Sequence, residues 1–189
     1  MAHVPPFDMP RDEIREMLEE IRHPFRVAVD RAKNPFNIGA IIRTAHSFLA
    51  REIVLIGSEP WYPRAAMGMQ RYENIVELPS TEAFLAHAAR EQWPLVAFEK
   101  DASSVGLWDA DLPEDAVLVF GNEDDGCAPE ILAAARQVVA IPMYGINHSY
   151  PIAVSAGIAM AEWARRRYQQ GRLVTPRGAP ARTDAEPSG

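Results

Sequence analysis

Apolar positions along the chain recur first at helical spacing and then in short continuous runs, and the two periods alternate to the end. Ile14, Met17, Leu18 and Ile21 predict a short amphipathic helix over residues 11–22, closed by Pro24. Residues 26–30 (RVAVD) form a run of strand length, and the Asn-Pro pair of the following RAKNPFN marks a loop. Ile38, Ile41, Ile42, Ala45, Phe48 and Leu49 then share one helical face, completing a strand–helix unit. Residues 52–56 (EIVLI) read as a strand buried on both faces, ending at Gly57 and Ser58. A weaker strand at 75–78 precedes a helix through Arg90 that Ser80 or Thr81 can cap, with Glu82 near its positive end. Two more strands, 94–99 and 116–120, flank a polar segment expected to hold a short helical turn. Pro129 suits the first turn of a helix through Ala135, 138–141 (VVAI) is the last strand, and the final helix runs from about Pro151 to Gln169.

Strands alternating with helices imply an α/β fold with a mainly parallel sheet flanked by helices. At 189 residues the chain suits one domain. We expect it over residues 25–170, after an N-terminal extension (1–24) carrying the short helix and before a tail (171–189) whose Pro, Gly and small polar residues predict disorder. No apolar run approaches the roughly 20 residues of a membrane span, and the N-terminus lacks a basic region followed by an apolar one, so a cytoplasmic protein without membrane contact is expected. Cys127 is the only cysteine, which excludes an internal disulfide and a thiolate metal cluster. The net charge of -7 argues against a generic nucleic-acid coat, yet 17 of the 19 basic residues are arginines, the better residue for bidentate phosphate contacts. Arg64 with Arg71, and Arg165 with Arg166 and Arg167, form local clusters that solvated surface would also explain.

Three loops follow predicted strands, at 30–37, 121–128 and 142–150, and the carboxyl ends of parallel strands are where such sheets bind ligands. The middle loop, GNEDDGCA, has neither a phosphate-cradling Lys-Ser/Thr pair nor a Gly-x-Gly-x-x-Gly turn. Its carboxylates Glu123, Asp124 and Asp125 would repel a pyrophosphate but accept hydrogen bonds from hydroxyl or amino groups, pointing to a nucleoside-like ligand without phosphates. A magnesium site here is disfavoured because adjacent carboxylates cannot all face one ion, so no metal is expected. Cys127 reads as a buried thiol rather than a nucleophile, His46 as packing or surface, and His148 as open between the ligand loop and a bland role. Asn37 sits at or near a helix cap and Arg43 almost two turns further, amid Ile41, Ile42 and Ala45 where burial would demand an anionic partner.

Residues 34–45 (NPFNIGAIIRTA), 119–126 (VFGNEDDG) and 141–149 (IPMYGINHS), the last leading into an AGIAMAE helix, resemble in order the three motifs of the SpoU/TrmH family of RNA ribose 2'-O-methyltransferases, in the SPOUT class. The resemblance covers about three quarters of the chain. It implies an α/β domain whose C-terminal segment forms a deep trefoil knot, and a homodimer. It implies S-adenosyl-L-methionine as cofactor, held by the strand end at Phe98, by Gly121, Asn122, Glu123 and Gly126, and by Ile141, Met143 and Ser149. Arg43 would act near the partner's cofactor, holding RNA phosphate and the 2'-oxygen, with Asn37 orienting the same group or Arg43 itself. The substrate implied is RNA, tRNA being favoured over rRNA.

The third motif departs from the family pattern. Where that pattern reads Ser-Leu-Asn-Val-Ser, this chain has Ser149-Tyr150-Pro151-Ile152-Ala153, so an Asn and a Ser are replaced by Pro151 and Ala153. Asn147 or His148 could substitute for them, or the chain could be a catalytically weak or inactive RNA-binding or assembly protein on the same fold.

Overall fold

The computed structural model describes residues 9–57 and 60–171. The expected tail beyond Gly171, residues 1–8 of the Pro-rich start and Ser58 lie outside these. Within them the order is α1 (Arg11–Ile21), β1 (His23–Asp30), α2 (Pro35–Ser47), β2 (Ala50–Ile56), two 3-10 turns (Pro63–Ala66 and Met69–Arg71), β3 (Ile75–Leu78), α3 (Thr81–Arg90), β4 (Leu95–Phe98), β5 (Val105–Gly106), β6 (Val117–Phe120), α4 (Pro129–Ala134), β7 (Gln137–Ala140) and α5 (Ile152–Gln169).

Seven strands form one sheet in the order β3-β2-β1-β6-β4-β7-β5, and every pairing is parallel. The alternation of side chains along β1 sorts the core into two layers. Val27 and Val29 face α2 and α5, packing with Ile38, Ile41, Ile42, Met160 and Trp163. Ala28 faces the other way, toward Phe84, Ala88 and Ile131 of α3 and α4. Phe25 and Trp163 meet at 4.3 Å between ring centroids, and the indole N–H donates to the Pro113 carbonyl at 3.1 Å, so its polar tip is satisfied inside an apolar layer.

Several boundaries differ from the sequence reading for identifiable reasons. Helix α1 stops at Ile21, and Pro24 lies inside β1, where the register against β2 slips between His23 and Arg26; that irregularity accommodates a residue with no N–H to donate. The segment between β4 and β6 contains β5, an edge strand on β7, instead of a helical turn. Strand β7 ends at Ala140, leaving Ile141 in the loop, and α5 begins at Ile152 with Pro151 as its N-cap.

Two polar networks tie the periphery down. Arg22, 9% exposed, donates to Glu73 at 2.8 Å and to the carbonyls of Ala50 and Tyr72, while His46 Nδ1 meets the same carboxylate at 2.7 Å. The arginine cluster at the end of α5 is also structural: Glu162 pairs with Arg165 and Arg166, both at 2.7 Å, and Arg166 donates to the Leu107 carbonyl at 2.6 Å. Arg166 is thereby committed inside the molecule, while Arg165 stays half exposed.

Candidate active site

The direction of the chain reverses across the sheet beside β1. Strands β1, β2 and β3 are laid outward in sequence order, whereas β6 and β4 occupy the other side of β1. Loops leaving the carboxyl ends of strands at such a point splay apart and leave a crevice. A cavity of about 920 Å³ lies there, with Phe98 of β4, Phe120 of β6 and Val139 of β7 in its wall. Phe98 and Phe120 stack at 4.9 Å and are both buried, so they back the cavity wall as packed support.

All eight residues expected at a cofactor site line this cavity: Phe98, Gly121, Asn122, Glu123, Gly126, Ile141, Met143 and Ser149. Asn37 and His148 line it as well. Arg43 does not; it is exposed, and no hydrogen bond or ion pair engages its guanidinium among the described residues. The expectation of an apolar setting for Arg43 is corrected by the helix period: Ile38, Ile41, Ile42 and Ala45 are buried, and Arg43 falls on the opposite side with Phe36 and Ser47.

Capping is corrected too. The side chain of Asn34 accepts from Phe36 N–H at 3.0 Å, and Pro35 occupies the first helical position, so Asn34 is the cap and Asn37 already lies within the first turn. Freed from capping, the Asn37 amide donates instead to Glu123. Lys33 reaches the same acidic loop, pairing with Asp124 at 2.7 Å, and that hydrogen bond raises its pKa.

The 121–126 loop is folded back on itself. Asn122 and Gly126 exchange backbone hydrogen bonds at 3.2 and 3.1 Å, and Asn122 Oδ1 accepts from the N–H groups of Asp124 and Asp125. A Cβ on Gly121 would lie 2.0 Å from the backbone of Gly126 and Cys127, so only glycine permits this return. Two carboxylates not picked out by the sequence reading anchor it. Asp30, fully buried at the end of β1, accepts from Ala128 N–H at 2.9 Å, and Glu99, just beyond β4, accepts from Cys127 N–H at 3.1 Å. Both sit at carboxyl ends of strands, which was the available signal. Burial and the neighbouring carboxylates of Glu99 and Asp30 push the Cys127 thiol up to about 12, removing it as a nucleophile.

The third loop closes through Tyr150, whose hydroxyl donates to the Pro142 carbonyl at 3.1 Å, and through the Asn147 amide, which donates to the Ser149 carbonyl at 3.3 Å. Asn147 is exposed and absent from the cavity wall. Pro151 caps α5 without a side-chain hydrogen bond, leaving its N-terminus facing the cavity together with Ser155, one turn further on. Ser155 is a hydroxyl the sequence reading overlooked; its four-residue spacing from Pro151 on a helix was the clue.

A cofactor of nucleoside character fits these walls. Half-buried Ile141 and Met143 offer apolar surface for a flat base, backed by the buried Phe98, Phe120 and Val139, and Glu99 and Glu123 offer acceptors for hydroxyl or cationic groups. The side-chain nitrogen of Asn122 is a buried donor without a partner, which an acceptor on a ligand would satisfy. Among the described residues no group of three or more His, Cys, Asp or Glu is placed to hold a metal ion, and no helix is long and apolar enough to cross a membrane.

Similarity to known proteins follows the same segment. The model of the SpoU rRNA Methylase family matches residues 24–161. A tRNA (guanosine(18)-2'-O)-methyltransferase of Aquifex aeolicus is 28% identical over 167 residues, covering 86% of this chain and 79% of that protein. A 23S rRNA (adenosine(1067)-2'-O)-methyltransferase of Streptomyces laurentii is 36% identical over 159 residues, 80% of this chain and 56% of the relative. The SpoU methyltransferase AviRb of Streptomyces viridochromogenes, solved in complex with the cofactor AdoMet, superimposes with a TM-score of 0.69 at 27% identity, over 87% of this chain and 66% of that one.

Proposed function

The chain belongs to the SpoU rRNA Methylase family, and on that premise we propose that it transfers a methyl group from S-adenosyl-L-methionine to a ribose 2'-hydroxyl of RNA. The observation that carries this reading is the cavity at the carboxyl ends of β4, β6 and β7, whose wall combines apolar side chains with carboxylates and no phosphate-binding loop. When bound, the cofactor supplies an electrophilic methyl group on a sulfonium centre. Phe98, Ile141, Met143 and Ser149 would hold it with the 121–126 loop, while Glu99 and Glu123 provide negative charge beside a cationic, phosphate-free ligand.

A ribose hydroxyl is a poor nucleophile at neutral pH, so catalysis rests on positioning it and stabilising the charge that develops on its oxygen. Arg43 is assigned that work: its guanidinium is free of partners among the described residues and can hold RNA phosphate and the 2'-oxygen. It cannot accept the proton, which must go to another group. Asn37, tethered to Glu123, links the Arg43 helix to the acidic loop and fixes their separation. At the α5 N-terminus, Ser155 supplies a hydroxyl close to where Pro151 and Ala153 leave none.

The finer parts of the reading are a homodimer in which Arg43 serves the partner's cavity, a C-terminal trefoil knot, a cytoplasmic location and tRNA in preference to rRNA. Support for the dimer is that Arg43 is exposed and outside its own subunit's cavity wall. Support for the knot is that β7 lies beyond β4 from β6, while α5 packs back on α2 and β6. The tRNA preference rests on the A. aeolicus relative, of which this chain covers 79%.

The test is transfer of labelled methyl from the cofactor to RNA purified from cells lacking the protein, followed by size separation and nucleoside analysis. A 2'-O-methylated nucleoside in the tRNA fraction is expected. Label on bases alone, or in no RNA, overturns the activity; label confined to large RNA overturns the tRNA preference.

A further inference from the structure

Helix α2 and the 3-10 turns after β2 form one continuous surface. The backbone N–H of Tyr62 donates to the Pro35 carbonyl at 3.2 Å, and Gly39 lets the Pro63–Ala66 turn lie against α2, since a Cβ there would come within 2.5 Å of Ala65 Cβ. The two segments are therefore held as a unit. On it, Phe36 is 60% exposed and Tyr62 39%, with ring centroids 5.1 Å apart. Exposing two adjacent aromatic rings costs hydrophobic free energy that burial against a partner would recover.

Charge names the kind of partner. Residues 35–47 and 60–71 contain Arg43, Arg64 and Arg71 and no Asp or Glu, in a chain whose net charge is -7. All three arginines are exposed, and no hydrogen bond or ion pair engages their guanidinium groups among the described residues. Elsewhere the buried or half-buried arginines are committed: Arg22 to Glu73, Arg166 to Glu162. A local excess of uncompensated guanidinium beside exposed aromatic faces suits a polyanion with flat, stackable bases.

We propose that this surface is the platform on which the substrate RNA is held, with an unpaired base stacked on Phe36 and Tyr62 and flanking phosphates taken by Arg64 and Arg71. The proposal rests on the methyltransferase reading and extends it to how the nucleotide is presented. Phe36 and Arg43 are seven residues apart on α2, two helical turns or about 10 Å along one face. A base stacked at Phe36 thus places a neighbouring ribose near Arg43, coupling recognition to the residue assigned to the 2'-oxygen. Single-stranded or looped RNA is the implied substrate, because a base within a duplex cannot present its face.

The experiment measures methyl transfer to RNA from cells lacking the protein, as a function of RNA and salt concentration. Phe36→Ala is expected to raise the RNA concentration for half-maximal rate by about 5- to 150-fold, the range of one lost base–aromatic stack, with Phe36→Trp restoring it. Arg64→Ala with Arg71→Ala should flatten the log–log salt dependence by about 0.7 per lost phosphate contact on a single strand. Cofactor binding by calorimetry should be unchanged in all of these. Wild-type transfer with unaltered RNA dependence in the Phe36 and arginine variants overturns the platform while leaving the activity standing. A wild type that methylates no RNA overturns the activity itself, and the platform with it. Dissociation of a dimer in Phe36→Ala, seen by light scattering, would show the face to be a contact between copies and would also overturn the platform.

Discussion

Because the Arg43 guanidinium is exposed and bonds to no described residue, its replacement removes a charge without opening a cavity or orphaning a buried partner. Arg43→Ala should therefore leave stability within about 0.5 kcal/mol of wild type, as for surface changes generally. If it stabilises the developing oxyanion, the turnover number should fall by about 10²–10³. Calorimetry should show cofactor affinity preserved; a variant that turns over normally would remove Arg43 from its role. Spacing along the chain was enough to pair Asn37 with Arg43, but not to orient them. A helix start misplaced by three residues assigns the cap to Asn37, and Asn34 beside Pro35 is what decides it. Asp30 and Glu99 were harder still, because a carboxylate ending an apolar strand reads as a boundary marker until the loop it anchors is seen.

At the scale of elements, the 121–126 loop depends on the absence of a side chain at one position. Gly121→Ala would drive a Cβ into the backbone of Gly126 and Cys127, forcing the return strand of the loop away and opening the cavity wall. A cost of about 1–3 kcal/mol is expected, typical of overpacking, with cofactor binding lost. The clash lies beyond the last residue of β6, so circular dichroism should still report the folded sheet. Gly171→Ala is the control: φ is positive there, at 71°, but a Cβ meets nothing within 4 Å, so backbone strain alone is added and cofactor binding should survive. Equal loss of binding in both variants would mean that general destabilisation, not the cavity wall, is responsible. Long elements were legible because periodicity accumulates over many residues, as in α2 and α5. β5 was not, since two residues hold no period and only pairing with β7 defines them.

At the scale of the whole molecule, alternating strands and helices gave a parallel sheet, whereas the strand order did not follow from local pattern. Insertion of β6 between β1 and β4 is a long-range outcome, and it creates the crevice. Which subunit supplies Arg43 to a given crevice is equally non-local, and subunit mixing decides it. In a two-fold dimer with Arg43 acting across the interface, an Arg43→Ala protomer keeps an intact cavity, and a Gly121→Ala protomer keeps an intact arginine. A mixed dimer then holds one complete site, formed by the first protomer's cavity and the second protomer's Arg43, and one site lacking both. Random pairing after equal mixing makes about half the dimers mixed, each with one working site of two, so about a quarter of wild-type activity should return from two inactive preparations. If Arg43 instead serves its own subunit's cavity, every site in every mixture lacks one component. Mixing under conditions that exchange subunits would then restore nothing, and the cross-subunit assignment would have to be abandoned.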